Sequence, residues 1–317
     1  MRKRQCVVVG FDGFDPDVLA NLLLFYGACG FEVGISRAPV DCDLLVVQRG
    51  RYNNAVFDVH AGECHIYDYA AMGSSDFHLA FPNVSTCVVI ASGPRASGNT
   101  IPQHLVQSFH PVIPALWTAD TVERSGRSYD FVHIGHRKPN EASDGSLEQM
   151  DVVARSGRCH FWGLGWKDIV APGSSTAHGH ASLHDCQRIY RRAKFAFGVM
   201  YPFQRQKTIS GRMWQAPLNG CMVFSEATIP GVSLPGVQVC HDYLHATMHP
   251  HPLLDPLALV SEAVDYWSGV TGRLASNLGL NYKPPGRWHI TQVYLKWIYL
   301  RHLKTQLERI FLRGNPT

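Results

Sequence analysis

The most informative stretch of the sequence is residues 208–226, which read TISGRMWQAPLNGCMVFSE. This pattern predicts a short helix at 214–218, a turn at Asn219-Gly220 and a buried strand at 221–224. The strand ends directly before Ser225 and Glu226. Ligands of open α/β sheets bind beyond the carboxyl ends of the strands, so these two residues are predicted to face a binding site.

The residues before the helix predict an anion site. Ser210, Gly211 and Arg212 precede it directly, and Lys207 lies just upstream. Free backbone N–H groups at a helix start favour anions, and the planar, charged fork of arginine suits phosphate. We therefore predict that Arg212 binds phosphate, with Ser210 and Lys207 assisting.

Apolar runs alternate with helical segments on both sides of this stretch. Continuous β-branched runs indicate strands buried on both faces, hence parallel sheets, and the alternation indicates right-handed βαβ units. At 317 residues the chain is long enough for two such Rossmann-like domains, and a polar segment at 120–129 predicts the linker. The predicted strands are 7–10, 31–35, 43–48, 65–69, 86–92, 110–116, 130–135, 159–163, 195–200 and 221–224, and the further predicted helices are 17–26, 146–155, 183–193, 257–278 and 290–312.

Composition narrows the class of protein. Hydrophobic residues make up 45% and charged residues 17%, which is typical of a globular protein. The net charge of +4 suits an anionic ligand but does not by itself indicate nucleic acid. Nine cysteines without CxxC spacing favour a reducing compartment. No stretch reaches the roughly 20 apolar residues that span a bilayer, and no signal peptide is evident, so we expect a cytoplasmic protein, at most peripheral to a membrane.

The run Ser210–Glu226 resembles the donor-binding element of GT-B glycosyltransferases. It is closest to their CgeB-like, group 1 branch, which typically reads Ser-x-Arg-x-Phe/Trp-Glu-Ala-x-x-x-Gly-x-x-x-x-Ser-Glu. Tyr129–Gly135, Phe161–Trp166 and the helix at 257–278 resemble other parts of the same domain. The resemblance implies the GT-B architecture, two Rossmann-like domains facing across a cleft. It assigns residues 1–124 to an acceptor domain, 125–289 to a nucleotide-sugar donor domain and 290–317 to a helix that crosses back.

The implied activity is transfer of a hexosyl or related unit from a nucleotide sugar to a hydroxyl of a glycan or other acceptor. The resemblance suggests cell-surface polysaccharide synthesis, a glycan or lipid-linked acceptor and no nucleic-acid partner. The resemblance also implies that no metal is required, because arginine, lysine and helix N-termini can neutralise the leaving diphosphate. Many family members carry Glu for the donor ribose where this chain has Gln215, which loses the charge-assisted bond. The donor-binding residues that we predict are His133, Gly135, His136, Lys138, Gly163, Lys207, Ser210, Arg212, Gln215, Ser225 and Glu226.

Two residues of the first domain are candidate catalysts. Asp12 directly follows the first predicted strand in the run GFDGFD, which is not the GxGxxG pattern of a dinucleotide oxidoreductase. A carboxylate there suits the general base of an inverting transfer, and His110 is a second candidate base. Asp15 precedes Pro16 and is predicted to cap the following helix instead.

Several alternatives remain open on the sequence alone. His241, His245 and His249 have the helical spacing of a zinc site, but Pro250 disfavours a helix through His249, and we expect solvated or pocket-lining histidines. The helix at 290–312 suits packing on the domains or contact with anionic lipid. A non-hydrolysing nucleotide-sugar 2-epimerase shares the architecture. The loss of Glu at position 215 favours a non-catalytic nucleotide-binding module.

Overall fold

The computed structural model describes residues 3–9, 16–48, 56–68, 80–91, 113–117, 127–137, 146–181, 183–199, 209–226 and 232–296. The chain divides into two compact units. The first unit comprises Met1–Leu116 and Gly269–Thr317, and the second comprises Trp117–Ser268. The domain boundaries predicted at 124 and 289 remain predictions, and the chain re-enters the first unit at Gly269.

The first unit contains a five-stranded parallel sheet with the order β2-β1-β3-β4-β5. Runs of Val, Leu, Ile and Cys form these strands, and their side chains fill the core, as Val8, Leu45 and Ile66 show by their complete burial. The strands are β1 (Gln5–Val9), β2 (Glu32–Ser36), β3 (Cys42–Gln48), β4 (Ala61–Asp68) and β5 (Cys87–Ala91).

Helix α1 (Pro16–Ala28) connects β1 to β2 and begins with proline, whose fixed φ suits the first helical turn. It ends where Gly30 takes a φ of 89°, a left-handed conformation that glycine adopts without steric cost. The Phe31 N–H closes the end by donating to the Tyr26 carbonyl at 3.1 Å. The first unit also contains α2 (Pro114–Trp117) in part and a helix at residues 287–296, which we label α8.

A buried polar network ties α1 to β4. The Tyr26 hydroxyl lies 2.6 Å from His65 Nδ1, and His65 Nε2 lies 2.9 Å from a carboxylate oxygen of Glu63. Tyr67 adds a contact of 3.2 Å to the Tyr26 hydroxyl. The hydrogen bond with His65 lowers the pKa of Glu63, despite the opposing effect of its burial. Each member thus satisfies a polar group that burial would otherwise leave unpaired.

The second unit repeats this topology with a parallel sheet in the order β10-β9-β8-β6-β7. Its strands are β6 (Tyr129–Ile134), β7 (His160–Trp162), β8 (Ala193–Phe197), β9 (Met222–Ser225) and β10 (Val237–Val239). Its helices are α3 (Ser146–Arg155), α4 (Leu183–Arg191), α5 (Arg212–Gln215), a 3-10 helix (Pro217–Asn219), α6 (Tyr243–Met248) and α7 (Pro256–Asn277), which continues into the first unit.

Stacked aromatic side chains fill one face of the second sheet. Phe131 lies 5.2 Å from Phe195 and 5.4 Å from Phe197, measured between ring centroids. Tyr243 of α6 packs on Phe197 at 4.8 Å, which joins the helix to the same core. Such ring pairs stabilise the folded state beyond what the burial of their apolar area contributes. This core therefore holds the strand ends in fixed positions.

The α/β fold class predicted from the sequence is confirmed, since both units are built on parallel sheets with intervening helices. Two local predictions are wrong. Residues 114–117 form a helical turn rather than a strand, because Pro114 stands at its first position. The helix predicted at 214–218 begins at Arg212 and becomes a 3-10 helix at Pro217, which has no N–H to continue the α-helical bonds. The sequence pattern also missed β10 and α6.

Candidate functional site

The strand order defines a topological switch point in the second sheet. From β6 the chain moves outward to β7, then returns to the opposite side of β6 to form β8. The crevice beyond the carboxyl ends of the two strands at such a point is where open α/β sheets bind ligands. Gly135 follows β6 there, Gly198 and Val199 follow β8, and Glu226 follows β9.

Arg212 lies at this switch point and is held by both strand ends. Its Nε donates a short hydrogen bond to the Ile134 carbonyl at the end of β6. Its Nη1 donates to the Val199 carbonyl beyond β8 at 3.0 Å and to Ser210 Oγ at 3.3 Å. Among the described contacts these bonds engage Nε and Nη1. The guanidinium is therefore fixed in direction.

Gly135 allows the guanidinium to come this close. A Cβ at position 135 would collide with Nη2 of Arg212, would lie 3.0 Å from its Cζ and would lie 3.1 Å from His133 Nε2. No side chain fits between these groups. The three residues form one packed cluster, which we call the Arg212 cluster.

His133 is the buried histidine of the Arg212 cluster. Its side chain is almost completely buried, and Nδ1 lies 3.2 Å from the Phe197 carbonyl. Burial, and next the positive charge of Arg212, lower the pKa of His133 to about 3, although the Phe197 carbonyl opposes the shift. The ring is neutral at pH 7. Because a carbonyl only accepts, Nδ1 carries the proton and Nε2 presents its lone pair toward the cluster.

This depressed pKa predicts that the protein loses stability in mild acid. Below pH 6.5 the unfolded chain protonates His133 while the folded chain does not, so stability falls with pH until the folded value of about 3 is reached. We expect this residue to lower the free energy of unfolding by about 2 kcal/mol between pH 7 and pH 5.

Urea unfolding of the native chain and of His133→Asn, at both pH values, measures this effect. Asn keeps a donor for the Phe197 carbonyl but has no basic group, so its pH dependence is expected to be weaker by that amount. The exposed His249 changed to Asn is the matched control. Equal pH dependence in the native chain and His133→Asn would contradict the assignment.

Gly163 closes the loop after β7 onto the loop after β6. It has a φ of 137°, and a Cβ at this position would collide with the Gly135 carbonyl oxygen. That same oxygen accepts a hydrogen bond of 2.7 Å from Trp166 Nε1. The Gly163 N–H donates to the Gly179 carbonyl at 2.6 Å. Glycine is thus required here for both its backbone conformation and the close approach.

His136 lies on the exposed rim of the same edge. Its Nδ1 accepts a hydrogen bond of 3.0 Å from the Leu164 N–H, so the neutral ring carries its proton on Nε2. The ring stacks on His180 with centroids 5.7 Å apart. Both side chains are exposed. This rim places two imidazole rings at the end of β6.

Ser225 and Glu226 end the neighbouring strand β9. Ser225 Oγ donates to the Gly198 carbonyl at 3.0 Å, so it is used to hold β9 against β8. Glu226 is fixed by Tyr243, whose hydroxyl accepts from the Glu226 N–H at 3.0 Å and donates a short bond to Oε2. Burial, with the Glu226 charge, raises the pKa of Tyr243. The phenol therefore stays protonated and holds the carboxylate in one orientation.

Tyr243→Phe is expected to release Glu226 without unfolding the second unit. Loss of the two hydrogen bonds should cost about 1–2 kcal/mol of stability, because Phe fills the same buried space. If Glu226 contacts a nucleotide, its affinity should fall several-fold as the carboxylate becomes mobile. Thermal unfolding and calorimetric titration with a nucleoside diphosphate measure both effects. Tyr282→Phe, in the first unit, is the control, and an unchanged unfolding free energy in Tyr243→Phe would contradict this role.

The remaining predicted residues of the described chain lie close to the Arg212 cluster. Ser210 is buried and its hydroxyl accepts from Arg212. Gln215 is half-buried, and its side-chain amide lies 3.5 Å from where a Cβ of Gly211 would stand. The predicted residues Asp12, His110, Lys138 and Lys207 lie outside the described residues.

The structure adds partners that the sequence analysis missed: Tyr243, Trp166 and the Val199 carbonyl. Nothing in the local sequence marks Val199, since a carbonyl is common to every residue. Tyr243 lies within the histidine-rich stretch 240–251, which drew attention to metal binding instead.

Within the described part of the chain, no three His, Cys, Asp or Glu side chains lie close enough to hold a metal ion. The ring centroids of His245 and His249 lie 4.0 Å apart, and α6 ends at Met248, before Pro250. No helix in the described ranges has the length and apolar character needed to cross a membrane.

Comparison with known proteins places the fold. No protein-family model matches the chain, and no curated protein matches it. Among solved structures, HepE of Anabaena in complex with UDP and glucose is 11% identical with a TM-score of 0.55, covering 87% of this chain and 99% of that one. BGT of phage T4 in complex with its UDP-glucose substrate is 10% identical with a TM-score of 0.54, covering 87% and 97%.

A third structure, of the DNA-modifying enzyme β-glucosyltransferase studied with and without uridine diphosphoglucose, is 10% identical with a TM-score of 0.51, covering 87% and 97%. These neighbours are GT-B glycosyltransferases. At such low identity the likeness establishes the fold. This protein thus shares its α/β fold, over most of its length, with GT-B glycosyltransferases.

Proposed function

We propose that this protein is a glycosyltransferase that moves a sugar from a nucleotide-activated donor to an acceptor hydroxyl, and that the donor diphosphate binds at the Arg212 cluster. The observation that carries the proposal is the position of Arg212, anchored by the carbonyls of Ile134 and Val199 at the switch point of the second sheet. A fixed cation at the ends of two parallel strands is what an anionic leaving group requires.

The comparisons and the site together support a proposal for the donor class. The Anabaena structure contains UDP and the phage T4 structure contains UDP-glucose. We propose a UDP-sugar, with Arg212 and Ser210 at the diphosphate and Gln215 and Glu226 at ribose or sugar. Lys138 and Lys207 are proposed to assist at the phosphates, and His136 to contact the donor.

The proposal also covers the metal requirement and the class of acceptor. Arg212 supplies the charge that a divalent cation would otherwise provide, so we expect transfer to persist in EDTA. The CgeB-like resemblance implies a glycan or lipid-linked acceptor and a role in cell-surface polysaccharide synthesis. We propose that the transfer takes place in the cytoplasm. One structural neighbour is a DNA-modifying enzyme, so acceptor panels should include DNA beside glycans.

The first test is a thermal-shift panel of UDP, GDP, dTDP, CMP and ADP, followed by transfer from the matching labelled nucleotide sugar. A ligand that binds only the folded state raises the unfolding temperature. We expect a shift with UDP, and labelled product from UDP-glucose or a related sugar. Binding without turnover on any acceptor would favour the non-catalytic module, and no binding of any nucleotide at millimolar concentration would contradict the proposal.

Asp12 is the proposed general base, and His110 is the alternative. For an inverting transfer, Asp12→Asn is expected to lower the transfer rate about 100-fold or more, because general-base catalysis typically contributes at least that factor. The affinity for UDP should not change. Single-turnover transfer with the acceptor found above measures the rate. Asp15→Asn is the matched control, expected to alter stability rather than rate, and a full rate in Asp12→Asn would move the assignment to His110.

A further inference from the structure

Positive charge is concentrated near the C-terminal end of the sequence. Residues 279–317 contain seven Lys and Arg against a single Glu, Glu308, which gives a net charge of +6. The whole chain carries +4, so the other 278 residues together carry −2. A segment that is this basic on an otherwise slightly acidic chain indicates an anionic partner for that segment.

Helix α8 lies within this basic segment, and one of its faces is packed. The His289 ring lies against α1, where a Cβ at Gly27 would come within 2.6 Å of His289 Nε2. Val293, one turn further on, is buried. The Lys283 N–H donates to the Ala28 carbonyl at 3.0 Å and fixes the approach to the helix. The orientation of α8 on the first unit is therefore set.

The opposite face of α8 exposes two large apolar side chains. Trp288 is 74% exposed and Leu295 is 61% exposed. They stand seven residues apart, which is nearly two helical turns, so they share one face of the helix. Arg287 and Lys296, both exposed, lie on the two sides of that face. We call this surface, with the exposed Lys283 before the helix, the α8 outer face.

We propose that the α8 outer face docks on an anionic lipid surface. Transfer of tryptophan and leucine side chains from water to the boundary between headgroups and acyl chains is favourable, while flanking lysine and arginine bind the anionic headgroups. The sequence beyond α8 continues the same pattern with Arg301, Lys304, Arg309 and Arg313 among apolar residues.

Charge and apolarity together favour lipid over other occupants. Nucleic acid would satisfy the cations, but its phosphates offer nothing to Leu295. A second copy of the chain that docks through its own α8 outer face would bring like charges together, which opposes such a symmetric dimer. An anionic bilayer satisfies both kinds of side chain at once. This inference does not depend on the proposed glycosyltransferase activity.

Vesicle flotation of the full chain tests the proposal. Phosphatidylcholine vesicles are compared with vesicles that also contain phosphatidylglycerol, at low and high salt. We expect binding to the anionic vesicles only, weakened by salt. The double variant Trp288→Ala, Leu295→Ser should reduce the bound fraction about tenfold, because it removes the apolar anchors. Leu253→Ser, which changes a leucine of similar exposure (53%) in the second unit, is the matched control.

Four outcomes would overturn the proposal. They are absence of binding to anionic vesicles at low salt, equal binding by the double variant, loss of binding by the Leu253→Ser control, and displacement from vesicles by duplex DNA. Light scattering of the same samples measures the oligomeric state. A dimer that the double variant abolishes would assign the α8 outer face to a second copy instead of lipid. Unchanged unfolding temperatures and unchanged UDP titrations confirm that the variants remain folded and keep the donor site separate from this test.

Discussion

Arg212→Gln is expected to weaken the binding of UDP about 100-fold. Charge-assisted hydrogen bonds contribute about 1.5–3 kcal/mol each, and 1.4 kcal/mol corresponds to a factor of ten in affinity. Gln can reach the Ile134 carbonyl but cannot supply a cation or a second nitrogen toward the ligand. Arg212→Lys keeps the charge without the planar fork that fixes its direction, so we expect a smaller loss, about tenfold.

Isothermal titration with UDP measures these affinities, and two comparisons make the result specific. Arg188→Gln removes an exposed arginine of α4 in the same unit and should leave the affinity unchanged. Unfolding free energies of all variants separate lost binding from lost folding, because Arg212 also ties β6 to the segment after β8. Native-like UDP affinity in a folded Arg212→Gln variant would move the diphosphate elsewhere.

Gly163→Ala is expected to destabilise the second unit by about 3 kcal/mol or more. The methyl group would occupy the position of the Gly135 carbonyl oxygen, and a φ of 137° is itself unfavourable for alanine. Both obstacles are backbone atoms or backbone geometry, so no side-chain rotation relieves them. The forced shift of Gly135 would also displace Arg212, and UDP binding should be lost with the stability.

The Gly173→Ala variant separates the steric collision from the cost of the backbone conformation. Gly173 also has a positive φ, of 78°, but a Cβ there meets nothing within 4 Å. We expect this control to cost about 1 kcal/mol, the conformational part alone. Urea unfolding of the two variants gives the difference. A Gly163→Ala protein as stable as Gly173→Ala would show that the loops after β6 and β7 do not pack as described.

The sequence was sufficient to predict the parallel sheets, because the buried strands of both units contain apolar runs such as residues 44–47 and 222–224. It also predicted Arg212 as a site residue. It could not predict how Arg212 is held, since the two carbonyls that accept from its guanidinium belong to residues 78 and 13 positions away along the chain. Only the sheet order brings those strand ends together.

Short elements with weak periodicity were the ones that sequence reasoning missed. β10 has three residues with exposed or half-buried side chains, so it lacks a buried apolar run. α6 has six residues, and its start is marked only by Asp242, whose carboxylate accepts from the His245 N–H at 2.8 Å. Tyr243, which orients Glu226, lies in that short helix. Its role depends on a contact between β9 and α6 that no local pattern records.

Hydrogen–deuterium exchange of the full chain, with and without UDP, shows whether the nucleotide binds at the Arg212 cluster and needs neither the acceptor nor a variant. Slower exchange with UDP is expected in peptides covering residues 133–137 and 209–226, at the ends of β6 and β9 and around Arg212. Saturable binding with protection confined to other segments, or no protection at saturating UDP, would contradict a donor site at the switch point of the second sheet.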